Sequence, residues 1–202
     1  MRDSWDSVLA CYETANSLWQ FQRPGAYNDP DMLEVGVRNL TATENRAHFS
    51  LWCMLSAPLI LGCDVRRFVS ADAAGGIDRN ANNGAYDIIT NRELIALDQD
   101  ALMLQCKRVA DTGGIDILIK PLWGGEAAVL FLNKNEKPAA AAELNLARLH
   151  KEDARVTLLP AEEYFVKDLW GEAGFCRQGA ALFSGEIPPH GATVFRIKNI
   201  SY

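Results

Sequence analysis

The hydrophobic period changes once along this chain, near residue 100, so one layer type cannot serve both halves. Before the change, apolar residues return every three or four positions. Trp5, Val8, Leu9, Tyr12, Ala15 and Trp19 make one such stripe over 3–19, which predicts a helix buried along one face. Asp3 is its expected N-cap, and Pro24-Gly25 ends the segment. Ala26-Tyr27-Asn28 is a short strand candidate. Thr41-Ala42-Thr43-Glu44 has the spacing of a capping box and opens a second helix, with Ala47, His48, Leu51, Trp52 and Leu55 on one face. Pro58 cannot continue that helix. Leu59-Ile60-Leu61 then reads as a parallel strand covered on both faces, ending in Gly62-Cys63-Asp64. The polar stretch 68–87, with Gly75-Gly76 and Asn80, reads as a surface loop, and Thr90-Asn91-Arg92-Glu93 as a second capping box. Helix, strand, helix, strand, helix is the order of a parallel α/β layer, with acids after both strands, where α/β folds place ligands.

After residue 100 the period falls to two. Strands are expected at 115–120, 127–132, 141–146, 155–159, 164–170, 180–187 and 192–197, separated by Gly-, Asn- and Pro-rich turns. That spacing predicts an antiparallel β-sandwich. Charge breaks at the same place. Residues 1–100 hold 8 Arg, no Lys and 14 acids, a net of 8 − 14 = −6, whereas 101–202 hold 12 bases and 12 acids. The acidic first half argues against nucleic acid or an anionic membrane as partner. No apolar run approaches the ~20 residues of a membrane span, and Met1-Arg2-Asp3-Ser4-Trp5-Asp6 lacks the apolar core of a signal peptide. The five cysteines are odd in number and form no CxxC pair, which points to reduced thiols and a cytoplasmic location rather than to zinc or any other metal. At 202 residues, the chain is too short for a (β/α)8 barrel of about 250 residues plus a second domain.

Tyr27-Asn28-Asp29-Pro30-Asp31-Met32-Leu33-Glu34-Val35-Gly36 resembles the (W/Y)-N-D-P-D-M-L-x-x-G signature of glycoside hydrolase family 27, the α-galactosidases or melibiases. Ala57-Pro58-Leu59-Ile60-Leu61-Gly62-Cys63-Asp64-Val65-Arg66 is similar to the family's last barrel strand, and Leu94-Ile95-Ala96-Leu97-Asp98-Gln99-Asp100 to its V-I-A-I-N-Q-D. Asp168-Leu169-Trp170 and Pro189-His190-Gly191 match turns of its appended sandwich. The resemblance runs in family order over nearly the whole chain. It implies the C-terminal portion of a (β/α)8 TIM barrel over 1–103, followed by an antiparallel β-sandwich over 104–202 that folds by itself. The implied reaction is retaining hydrolysis of terminal α-D-galactosides by two carboxyls about 5–5.5 Å apart, without a cofactor. The family's nucleophile follows the fourth barrel strand, a region with no counterpart here. Its acid/base would fall immediately before Met1. No catalytic residue is therefore assigned, and the chain alone is expected to be inactive.

What the resemblance does carry over is substrate binding by Asp31, whose carboxylate would accept charge-assisted bonds from sugar hydroxyls, and by Met32 beside it. Asp29 is a third candidate, although it reads first as a turn-former before Pro30. Asp64 is read as a local cap or an ion-pair partner of Arg66 or Arg67, and His48 and His190 as structural. Trp5, Trp19 and Trp52 are expected in the core, whereas Trp123 and Trp170 could stack on sugars. Related family activities, on α-N-acetylgalactosaminides or β-L-arabinopyranosides, are alternatives. A non-enzymatic carbohydrate-binding or assembly module is another. A partial barrel would also leave apolar surface uncovered, which makes a homo-oligomer possible.

Overall fold

The computed structural model describes residues 1–68, 76 and 81–200. Helix α1 (Trp5–Ser17) buries Trp5, Val8, Tyr12 and Ala15, the stripe read from the sequence. Its N-cap is Ser4, not Asp3. The Asp3 carboxylate instead accepts the Asn39 N–H at 2.9 Å, tying the helix start to a distant loop. Helix α2 (Ala42–Leu55) opens with the expected reciprocal cap: Thr41 Oγ1 accepts the Glu44 N–H, and Glu44 accepts the Thr41 N–H at 2.8 Å. Ser56 ends it in the left-handed region at φ 49°. Helix α3 (Ala81–Ile89) replaces part of the loop expected over 68–87. Its Ala85 and Ile88 are buried against the core, and that packing overrides the weak helix propensity of Asn and Gly. The rest of that expectation, at 69–75 and 77–80, lies outside the described residues. In helix α4 (Arg92–Asp98) the cap is Asn91 alone, whose side chain accepts from both Glu93 and Leu94 N–H. The Thr90 hydroxyl bonds back to Tyr86 instead.

The two strands expected in this half are not strands. Leu33 and Leu61 form a single parallel bridge, closed by Leu33 N–H to Ile60 C=O at 2.7 Å and Gly62 N–H to Leu33 C=O at 2.8 Å. Ala26 makes only a bridge to Arg23. Ile60 is 56% exposed, so the expected covering on both faces is absent at that position. A ladder needs two segments paired over successive residues, and among the described residues each of these segments finds its partner over one rung.

The second half is a six-stranded antiparallel sheet in the order β1-β2-β3-β8-β5-β6, with a small β4-β7 sheet over it. The strands are β1 (Lys107–Thr112), β2 (Ile115–Leu122), β3 (Glu126–Asn133), β4 (Glu143–Asn145), β5 (Glu163–Asp168), β6 (Cys176–Gly179), β7 (Ala181–Phe183) and β8 (Ala192–Asn199). The sequence reading missed β1 and β6, which are edge strands carrying charge in place of an apolar alternation. The segment 155–159 is not a strand. Its buried Val156 and Leu158 alternate as in an extended chain, but alternation reports extension rather than pairing. Gly113 and Gly114 close the β1–β2 hairpin at φ 61° and 83°, the two positive values a two-residue primed turn requires.

β2 and β3 are buried on both faces. Ile117, Ile119, Val129 and Phe131 pack toward Leu146, Leu182 and Tyr164. Leu118, Leu122, Leu130 and Leu132 join one core with the helices. The large sheet therefore buries its other apolar face, the one turned away from the β4-β7 sheet, against α1 and α2. Residues 104–202 produced alone are expected to expose that face, bind a hydrophobic dye strongly and associate. A dye-silent, monomeric product with a sharp melting transition would contradict this.

Candidate functional site

Residues 27–34 run from the end of α1 to the Leu33 bridge, and side-chain brackets rather than a ladder hold them. Asn28 donates to Leu18 C=O at 2.9 Å and to Gln105 Oε1 at 2.8 Å. Gln105 in turn donates to Ala15 C=O at 2.7 Å. Asp29 Oδ1 accepts the Asp31 N–H at 2.9 Å, the turn-forming role that its place before Pro30 suggested. Asp31 itself lies at φ 85°, a conformation costly for a residue with a Cβ. Its carbonyl accepts the Trp52 indole N–H at 2.8 Å, and its Oδ1 accepts the Met32 N–H at 2.7 Å. The Met1 amino group contacts Oδ2. That contact first, and the Met32 N–H second, hold the Asp31 carboxyl below the usual carboxylate range.

Asp29 and Asp31 line a groove of about 470 Å3 between this segment and α1, with Cys11, Thr14, Leu18 and Tyr27 opposite. Met32, next along the chain, is 44% exposed. Tyr27 also borders a second groove of about 560 Å3, formed with Pro58, Leu59, Asp98 and Met103. Both candidate carboxylates, Asp29 and Asp31, border the first groove.

Glu34 carries no assignment from its motif position. It is buried beyond Asp31, and burial together with nearby Asp3 pushes its carboxyl up. Its backbone N–H donates to His48 Nε2 at 3.0 Å. Gly62 permits this close packing: a Cβ there would stand 3.1 Å from the Leu33 carbonyl oxygen.

The other singled-out residues, Trp123 apart, are packed or engaged by neighbouring side chains. Asp64 pairs bidentately with Arg66 at 2.8 and 2.7 Å, which holds its carboxyl down at about 2. His190 stacks on Trp5 and meets Glu44 at 2.7 Å, joining a sandwich turn to the α2 capping box. Trp52 is fully buried, but Trp19 is only half-buried beneath the Arg155 guanidinium at 4.5 Å, a departure from the expected core position. Trp170 is engaged by Ser50 and Arg46, so it does not offer a free stacking face. Trp123 is 67% exposed. All five cysteines are unpaired. Among the described residues, no three His, Cys, Asp or Glu side chains gather as a metal site, and no helix is long and apolar enough to cross a membrane.

Helices on one side, a groove bordered by Asp29 and Asp31 beside α1 and an antiparallel sandwich define the C-terminal portion of a glycoside-hydrolase barrel with its appended domain. Residues 1–100 match the family described as alpha galactosidase A, and residues 112–197 match the alpha galactosidase C-terminal beta sandwich domain. The chain belongs to the α-galactosidase (melibiase) family, glycoside hydrolase family 27. It is 29% identical over 193 residues to an alpha-galactosidase of Oryza sativa subsp. japonica, covering 96% of this chain and 41% of that protein. It is 33% identical over 199 residues to alpha-galactosidase A of Cellvibrio japonicus, covering 96% and 45%. The crystal structure of alpha-galactosidase I from Mortierella vinacea superposes with a TM-score of 0.77 at 25% identity, over 95% of this chain and 44% of that one. The chain thus spans less than half the length of these relatives.

Proposed function

We propose that these residues form the C-terminal part of a retaining α-galactosidase-like hydrolase acting on terminal α-D-galactosides. Residues 1–103 supply barrel elements and 104–202 the sandwich. Asp31 and Met32 contact the galactose, and Asp29 fixes the turn that presents them. The observation that carries this reading is the Asp31 carboxylate: it borders the groove, while Asp29 and Trp52 hold its backbone from either side. Sugar hydroxyls donating to Oδ2 would take the place of the Met1 amino group there, while Oδ1 keeps the Met32 N–H.

Retaining hydrolysis needs a nucleophile and an acid/base about 5–5.5 Å apart. The resemblance assigns neither of the pair to a residue of this chain. The chain alone is expected to give no turnover of an aryl α-galactoside, assayed in protein free of host enzyme. Sustained release above a buffer blank would sink that expectation. Parallel titrations with D-galactose, N-acetyl-D-galactosamine and L-arabinose, read at the Asp31 and Met32 amides, test the sugar class. A response to none of them would remove the binding role of both residues. Exposed Phe21, Met32 and Ile60 also favour self-association, which sedimentation would detect.

A further inference from the structure

Helix α2 touches the candidate site only through its buried face, and it does so at two levels. Trp52 donates its indole N–H to the Asp31 carbonyl at 2.8 Å. His48, one helical turn earlier, accepts the Glu34 N–H on Nε2 at 3.0 Å. Residues four apart on a helix stand one above the other, and these two rings meet edge to face with centroids 4.1 Å apart. Both side chains are fully buried. Together they grip the two ends of the segment 31–34, the first of them at a non-glycine residue in the positive-φ region.

The helix that carries them is itself fixed at three heights by the sandwich. Glu44 in its first turn meets His190 at 2.7 Å. Ser50 in its middle accepts the Trp170 indole N–H at 2.9 Å. Cys53 C=O near its end accepts from the buried Lys120 ammonium at 2.9 Å. A strained backbone persists only where its surroundings over-determine it, and a helix pinned along its length provides such surroundings.

We propose that His48 and Trp52 are positioning residues for sugar binding, holding the Asp31–Glu34 backbone so that the Asp31 carboxylate stands ready in the groove. Neither side chain touches the sugar. This rests on the reading of Asp31 as the sugar-binding carboxylate.

Trp52→Phe keeps an aromatic ring and removes the N–H. Hydrogen exchange by NMR on the full chain is expected to accelerate about tenfold or more at the Asp31 and Met32 amides, with the amides of β2 and β3 unchanged. Loss of general stability would speed both sets together, so equal acceleration overturns the proposal, as does no acceleration at residues 31 and 32. The same variant is expected to bind D-galactose about fivefold or more weakly than the native chain, because a displaced acceptor loses its aim. Unchanged affinity would also overturn it. If the native chain shows no galactose response, the sugar-binding reading fails and the positioning of Asp31 for sugar fails with it; the exchange data then still decide whether Trp52 holds the backbone. Should Trp52→Phe not fold, His48→Leu is of similar volume, and local acceleration at the Glu34 amide is its expected signature, with the same two outcomes counting against.

Discussion

Asp116→Ala is expected to destabilise the chain by about 3–5 kcal/mol, the range for removing one partner of a buried ion pair. Asp116 lies on β2 with no solvent exposure and faces α1. Its Oδ2 accepts the Tyr12 hydroxyl at 2.8 Å and Arg108 at 3.0 Å, and Lys134 approaches its Oδ1 at 2.8 Å. Alanine would leave a fully buried phenol without an acceptor and two cations without their common anion. Burial, the largest cause that pushes the Tyr12 hydroxyl up, remains in the variant, so ionising in compensation stays unfavourable. The net loss is a large share of an ordinary domain's stability of about 5–15 kcal/mol. A fall of roughly 10 °C in the melting temperature is the scale to look for. Glu13→Ala is the control. Glu13 also pairs with Arg108 at 2.8 Å, but its side chain is 41% exposed, and exposed pairs contribute about 0–1 kcal/mol. If the two variants have the same urea midpoint, the buried charge is not what joins α1 to the sheet.

The second large effect concerns pH, where two buried groups oppose each other. Burial pushes His48 down to about 3, and the folded imidazole is a neutral acceptor for Glu34. Below its ordinary value of about 6.5 the unfolded chain binds a proton that the folded chain refuses. Stability from His48 is therefore present above about pH 6.5 and is lost as pH falls toward 3. Asp98 behaves in the opposite sense. Burial pushes its carboxyl up to about 7, with the Lys120 ammonium pulling the other way, and its Oδ1 has no hydrogen-bond partner among the described residues. Its ordinary value is about 3.9, so the stability its neutral form contributes is lost as pH rises from there to about 7. Between about pH 4 and 6.5 the two slopes, each about 1.4 kcal/mol per pH unit, cancel. Asp98→Asn is expected to remove that balance and to lose about 3 kcal/mol relative to the native chain on acidification across this window. His48→Leu is expected to gain a similar amount. Urea midpoints at several pH values, taken as differences from the native chain, remove the background of the other carboxylates. Parallel curves for all three proteins would falsify the assignment of both groups.

Element identity was largely legible where one local cause sufficed. The α1 stripe, the Thr41–Glu44 box, and the two long strands β2 and β3 follow from periodicity and short-range hydrogen bonding. The motif from Tyr27 to Gly36 pointed to the family, and its Asp31 borders a groove. Elements whose existence depends on a neighbour were not legible. Leu59-Ile60-Leu61 has the composition of a covered strand, yet pairing is a property of two segments, and here Ile60 stands exposed. Helix α3 lacks local propensity and exists through the burial of Ala85 and Ile88. Charged edge strands β1 and β6 carry no alternation to read.

The sequence by itself determined the two-part organisation and the glycosidase-family signature, because those are written in composition, period and a contiguous motif. Only the tertiary structure decided how the halves depend on each other. The sheet's helix-facing side closes the helical core, Asp116 joins strand to helix, Trp52 holds the Asp31 carbonyl at a positive φ, and His48 holds the Glu34 N–H. Those contacts link residues 14 to 104 positions apart. Local preference cannot encode such separations; they arise when burial of apolar surface brings distant polar groups within hydrogen-bonding reach.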